Sequence, residues 1–95
     1  LCRVHEIEAV IVDIGAAGEK VEEVLDCRVA DGTANFARQA AMSRETAAHA
    51  VETGIELAAA AAERFDVVGL GEMGIGNTTA AAALLAAFAG LSGAD

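Results

Sequence analysis

Tryptophan and tyrosine are missing from this sequence, and phenylalanine occurs only three times in 95 residues. Apolar residues nevertheless make up 55% of the chain, which points to a packed globular chain rather than a disordered one. Alanine supplies most of that apolar content, so the expected core is tight and shallow, built from close-packed helices. Basic residues are scarce as well. Six Lys and Arg stand against 15 Asp and Glu, a net charge of −9, and a broad basic footprint for nucleic acid or anionic lipid is lacking. No uninterrupted apolar run approaches the ~20 residues of a membrane span, and the opening run from Leu1 to Glu6 is no signal peptide. Cys2 and Cys27 form no C-x-x-C pair and two thiols make no disulfide framework, so a reducing cytoplasm is the expected location.

The length suits one small domain and is too short for two. The chain begins at Leu1 without an initiator Met, enters strand-like sequence within a few residues, and stops soon after a helical pattern. It reads as an internal piece of a larger protein, residues 1–95 forming a single partial domain.

Ala9 to Ile14, "AVIVDI", is a short β-branched run closed by Gly15. Such a run predicts a strand buried on both faces, as in a parallel sheet, with a buried helix segment as the alternative. Val21 to Val29 is ambiguous, and Asp31-Gly32 marks a turn. From Ser43 the pattern turns helical: Ser43 is an N-cap candidate, Glu45 suits the first turn, and Ala47, Val51, Ile55, Ala58 and Ala62 make one apolar stripe. Gly54 in that helix signals either close packing or simple tolerance. Asp66 to Leu70 predicts a second strand, followed by a glycine loop and a helix from about Thr78 to Ala89. Strand, helix, strand and helix give an α/β class with a parallel sheet, and two strands are too few for that sheet to stand alone.

The loop itself fits two nucleotide-binding templates and completes neither. Gly69, Gly71 and Gly74 give the dinucleotide pattern G-x-G-x-x-G. Gly71, Gly76 and Thr78 give P-loop spacing, but Asn77 stands where that loop needs lysine. A loop of this kind exposes backbone N–H groups at the positive end of a helix, which suits any phosphate; the alternative is a turn that only lets a strand and a helix pack. Without the lysine, a single phosphate monoester is a better match than a triphosphate. Glu72 then suits a ligand with positive charge near its phosphate, such as a pyridinium base or a ribose turning oxocarbenium-like. Otherwise Glu72 is a solvated or capping carboxylate.

"GLGEMGIGNTTAAAALL", Gly69 to Leu85, closely resembles the signature of the nicotinate-nucleotide–dimethylbenzimidazole phosphoribosyltransferase family. The resemblance runs on through "VADGTANFAR" at Val29 to Arg38, "MSRE" at Met42 to Glu45, "GIELA" at Gly54 to Ala58 and "VIVDIG" at Val10 to Gly15. It implies a fragment of a parallel-sheet, Rossmann-like three-layer domain. It also implies a reaction in which a benzimidazole nitrogen attacks C1′ of nicotinate mononucleotide, nicotinate leaves, and the configuration inverts from β to α. No metal or redox cofactor is implied. The partners are the two small-molecule substrates, with neither nucleic acid nor membrane, and the full-length protein is expected to be a homodimer. By the same resemblance the substrate-binding residues are Glu72, Met73, Gly74, Ile75, Gly76, Asn77, Thr78 and Thr79, with Glu72 close to the ribose. The catalytic general base is a family glutamate near the C-terminus that has no counterpart in these residues. One departure is visible: Ala40 stands where the family usually has proline, and the chain has no proline at all.

Two other function classes remain beside this one: a non-catalytic nucleotide-binding or structural α/β domain, and a fragment of a dinucleotide-dependent oxidoreductase. Among the remaining polar residues, His5 and His49 lack a metal-ligand pattern, and His49 reads as a surface histidine. Asp13, at the end of a predicted strand, is either a ligand contact or a loop cap, the cap being favoured. Asp31, Thr33 and Asn35 form a polar cluster that Asx-turn bonding accounts for.

Overall fold

In a computed structural model the structure describes residues 2–92. The two ends that suggest an internal piece, Leu1 and residues 93–95, lie outside the described residues. A short 3₁₀ turn, Cys2–His5, leads to strand β1, Val12–Asp13, which pairs in parallel with β2, Leu25–Asp26. Two helices follow, α1 from Arg44 to Ala62 and α2 from Asn77 to Ala89.

The strands are short, yet the pairing extends past them. Leu25 N–H donates to Ile11 C=O at 2.9 Å, Cys27 N–H to Asp13 C=O at 2.9 Å, Val29 N–H to Ile14 C=O at 3.1 Å and Gly32 N–H to Gly15 C=O at 2.9 Å. β1 therefore lies inside the predicted run, and the ambiguous Val21–Val29 segment supplies its partner. Parallel pairing needs a crossover, and here residues 14–24 make it as a loop rather than a helix. A Cβ on Gly15 would stand 2.9 Å from the carbonyl oxygen of Ala30, so the close approach of the two segments requires glycine there.

One polar knot holds that crossover. Asp13 Oδ1 accepts from Gly15 N–H at 3.0 Å and from Ala16 N–H at 2.7 Å. Its Oδ2 accepts from Arg28 Nε at 2.6 Å, and the two side chains are only 12% and 14% exposed. The rest of the Arg28 guanidinium donates to Gly18 C=O at 2.7 Å and Glu19 C=O at 3.0 Å. Asp13 is thus the loop cap. Asp31 Oδ1 adds a bond from Gly18 N–H at 3.2 Å across the same loop, and Lys20 pairs with Asp26.

Helix α1 begins as the sequence indicates. Ser43 Oγ accepts from Thr46 N–H at 3.0 Å, satisfying one of the donors a helix start leaves open. One expectation about this helix needs correction, and one open alternative is decided. Val51, Ile55, Ala58 and Ala62 of the predicted stripe are exposed, and the half-buried residues are instead Thr46, Ala47, Ala50, Thr53, Leu57 and Ala61. Nothing lies within 4 Å of a Cβ built on Gly54, so that glycine is tolerated rather than required. At the far end Arg64 pairs with Glu8 at 2.8 Å and lies over the Phe65 ring, tying the helix end to the N-terminal segment.

The expected second strand does not form. Asp66 to Leu70 joins no ladder among the described residues, and Val67 and Leu70 are almost fully exposed. A strand exists through its partner, and neither edge of the β1–β2 pair is brought to this segment. The run at Ala9–Ile14 is not buried on both faces either: Val10, Ile11 and Ile14 are exposed. Nor is there a core of close-packed helices. No described residue is fully buried, and α1 and α2 do not touch. The radius of gyration is 15.6 Å, against about 12 Å for a compact chain of this length. What stands is the coarser reading, an α/β unit of two helices and a small parallel sheet.

Two measurements check this picture. Gly54→Ala should stabilise α1 by about 1 kcal/mol, because its Cβ enters open space and the helix interior disfavours glycine; the melting of the far-ultraviolet helix signal reads it. The Ala16 N–H bond, and then the Arg28 guanidinium, hold the Asp13 carboxyl below its ordinary value of 3.8. The folded carboxylate binds its proton less tightly than the unfolded one, so the knot contributes stability above pH 3.8 and loses it as pH falls through the folded value. Carboxyl-carbon NMR should place the Asp13 midpoint below 3.8, and Arg28→Ala should raise it part of the way back.

Candidate functional site

Helix α2 starts from a glycine. Gly76 is its N-cap and sits in the left-handed region at φ +87°. Asn77 N–H donates to Gly74 C=O at 3.2 Å, and Thr79 and Ala80 N–H donate to Gly76 C=O at 3.0 and 3.3 Å. Three of the first four helix N–H groups thus find acceptors in the loop's own backbone. Of the N–H groups from Gly74 to Thr78, that of Asn77 is taken up by Gly74 C=O, and those of Gly74, Ile75, Gly76 and Thr78 donate to nothing in the loop.

The dinucleotide glycines lose their special status. Gly69, Gly71 and Gly74 all avoid positive φ, and a Cβ on Gly69 or Gly71 would meet nothing within 4 Å. At Gly74 the neighbour is the Glu72 carboxylate, folded back over the loop, and as the end of a flexible side chain it can swing aside. Conformation therefore demands glycine at position 76, which the P-loop spacing includes and the dinucleotide pattern does not.

The loop forms one wall of an open cleft of about 570 Å³, within the range of small-molecule sites. Of the residues predicted to bind substrate, Glu72, Gly74, Ile75, Gly76 and Asn77 line it. Met73, Thr78 and Thr79 lie outside the lining, and the Met73 side chain is 101% exposed. Thr33, Phe36, Ala41 and Met42 line the same cleft, as do Ala80, Ala83 and Leu84 of α2. Glu72 is the one charged residue of this lining.

The lining from Thr33 to Met42 is the part that the glycine motif did not indicate. Its loop is closed by Ala34 N–H to Ala41 C=O at 2.8 Å, and Asn35 Oδ1 accepts from Ala37 N–H at 3.0 Å, the Asx turn expected there. Asp31 instead bridges to Gly18, and Thr33 lines the cleft. Thr33 and Met42 also line a second, smaller hollow of about 110 Å³ against Ile14, Gly15 and the first turns of α1. That shared lining links the wall to the strand pair. The available signals were the resemblance itself, which covers Val29 to Arg38 and Met42, and Thr33 in the polar cluster there.

His5 and His49 are both exposed, and no group of three His, Cys, Asp or Glu among the described residues is set to hold a metal. No described helix is long and apolar enough to cross a membrane.

The chain's residues 1–95 all match the family model described as phosphoribosyltransferase, and the chain belongs to the phosphoribosyltransferase family. It is similar to proteins named nicotinate-nucleotide–dimethylbenzimidazole phosphoribosyltransferase. That of Desulforamulus reducens is 49% identical over 94 residues, covering 96% of this chain and 27% of the relative. That of Geobacter sp. strain M21 is 47% identical, covering 97% and 27%, and that of Geobacter sulfurreducens is 51% identical, covering 85% and 24%. The chain thus spans about 27% of the length of the first two of these relatives. No solved structure matches the chain.

The loop geometry gives a test that needs no ligand. Gly76→Ala should cost the start of α2 about 1–2 kcal/mol, the penalty for a Cβ in the left-handed region, whereas Gly71→Ala should be close to neutral. Amide exchange at Thr79 and Ala80 reads both, and equal effects at the two positions would contradict the assignment.

Proposed function

We propose that this chain is the mononucleotide-binding part of a cytoplasmic phosphoribosyltransferase. The whole enzyme moves the phosphoribosyl group of nicotinate mononucleotide to 5,6-dimethylbenzimidazole, giving α-ribazole phosphate and nicotinate for cobalamin synthesis. The observation that carries this reading is the cleft walled by Glu72 to Asn77, in a chain that matches the family along its whole length. Residues 1–95 form one partial domain of a Rossmann-like three-layer protein, and the absence of any fully buried residue among those described supports this.

In this reading the phosphate takes the N–H groups of Gly74, Ile75, Gly76 and Thr78, with the Thr78 and Thr79 hydroxyls in reach after the loop adjusts. A benzimidazole nitrogen forms a bond to C1′ as the C1′–nicotinate bond breaks. The acceptor's proton goes to a general base outside these residues. Positive charge grows on the ribose along that path, and Glu72 is the one carboxylate lining the cleft to meet it. Asn77 in place of a lysine suits a monoester rather than a triphosphate. Family membership weighs against the oxidoreductase reading, and so does the loss of any glycine requirement at positions 69, 71 and 74.

The test is turnover of nicotinate mononucleotide and dimethylbenzimidazole by the intact protein, with Glu72→Gln beside it. The wild type should make α-ribazole phosphate, and the variant should lose about 10–10³-fold in kcat with a smaller change in KM. A wild type that turns over neither substrate overturns the reading. Normal kcat with a lowered melting temperature would leave Glu72 structural.

A further inference from the structure

Asp31 has no part in the reading above, yet its carboxylate does more than face solvent. Its Oδ1 accepts from Gly18 N–H at 3.2 Å, 13 residues back along the chain. The Gly18 carbonyl is engaged as well, accepting from Arg28 Nη1 at 2.7 Å. Both polar groups of Gly18 are thus taken by the segment that leaves β2, one by Arg28 and the other by Asp31. Arg28 is fixed in turn by the Asp13 carboxylate at 2.6 Å and by Glu19 C=O at 3.0 Å. The contacts run unbroken from Asp13 through Arg28 and Gly18 to Asp31. Two residues further on, Thr33 lines the cleft, and the loop that follows brings Phe36, Ala41 and Met42 to the same lining. Ala34 N–H to Ala41 C=O closes that loop on itself, so its placement is decided at its stem. Two bonds hold the stem from the side of the strand pair: Gly32 N–H to Gly15 C=O at 2.9 Å, and Gly18 N–H to Asp31. Neither helix contacts β1 or β2, which puts more of the task on these bonds. One bond alone leaves a hinge; the second fixes a direction.

We propose that Asp31, gripped by Gly18, is a positioning residue for the cleft: it sets where the lining from Thr33 to Met42 stands, and through that lining how tightly substrate is held. The inference rests on the mononucleotide reading above, and Asp31 itself is outside the lining. What the clasp needs from Asp31 is an acceptor oxygen rather than a charge, because its donor is a backbone N–H. The lining that it places carries neither Glu72 nor the free N–H groups of the glycine loop. Its displacement is therefore felt in binding and not in the chemical step.

Steady-state turnover of nicotinate mononucleotide by the intact protein, with NMR signals of the Phe36 ring and the Met42 methyl recorded beside it, tests this in two variants. Asp31→Ala removes the acceptor and should raise KM about 3–10-fold, the range for one lost hydrogen bond, with kcat within about twofold. Asp31→Asn keeps an acceptor oxygen and should return KM to within about twofold of the wild type. Both signals should shift in Asp31→Ala and return in Asp31→Asn. A lowered melting temperature with KM and both signals unchanged would leave the clasp purely structural and overturn the proposal. An Asn variant as impaired as the Ala variant overturns it too, as does a fall in kcat that matches the rise in KM. A wild type without turnover removes the mononucleotide reading alone. The two signals then decide the clasp, and their standing still in Asp31→Ala overturns it.

Discussion

Everything orderly in the first half of this chain hangs on the pairing of Asp13 with Arg28. Each oxygen of that carboxylate is engaged, one by two backbone N–H groups and the other by the guanidinium. The guanidinium in turn gathers two carbonyls of the crossover loop. A half-buried ion pair is worth keeping only when its remaining polar atoms are satisfied, and here they are. The knot lets two strands too short to hold themselves stay in parallel register and lets the ladder run on to Gly32.

That register decides where the cleft wall can stand. Beyond Gly32 the chain turns through Thr33 into the loop that carries Phe36, and Met42 closes it at the doorstep of α1. Met42 and Thr33 serve two spaces at once, the hollow behind and the cleft in front. The route from the strand pair to the cleft lining at Phe36 and Met42 is thus short and continuous. The glycine loop has no such anchorage in the described chain, since α2 leans on neither strand nor α1. Its local shape comes from its own turns: Asn77 back to Gly74, and two helix N–H groups back to Gly76.

A cleft with one carboxylate and no basic residue is an unusual home for a phosphate-bearing ligand. The arrangement makes sense when charge is read by position along the ligand. Backbone dipoles at a helix start are enough for one phosphate group. A lysine placed there would bring positive charge near a ring and ribose that are themselves cationic or become so. On the proposed reading, leaving out the lysine and adding Glu72 divides the site into an anion end and a cation end. The first is set by main chain and the second by side chains.

Local features of the sequence determined what local physics could settle. Ser43 caps α1 because its hydroxyl is in reach of Thr46 N–H in any helix starting there, Asp13 caps its own loop, and the Gly71–Thr79 run marks the start of α2 as well as the family. Tertiary structure decided the rest. Asp66 to Leu70 has strand composition but no partner, so it stays irregular. The half-buried face of α1 runs through Thr46, Ala50, Thr53, Leu57 and Ala61 rather than through Val51 and Ile55, because burial depends on where neighbours lie and not on hydropathy alone. Arg28 gives no motif, yet it holds the crossover, since a guanidinium's partners are found across space. Phe36, too, is an ordinary residue of an ordinary turn until the fold brings that turn into the same cleft as Glu72. Periodicity and capping are local and can be read along the chain; which loop faces which is a long-range choice that only the folded backbone makes.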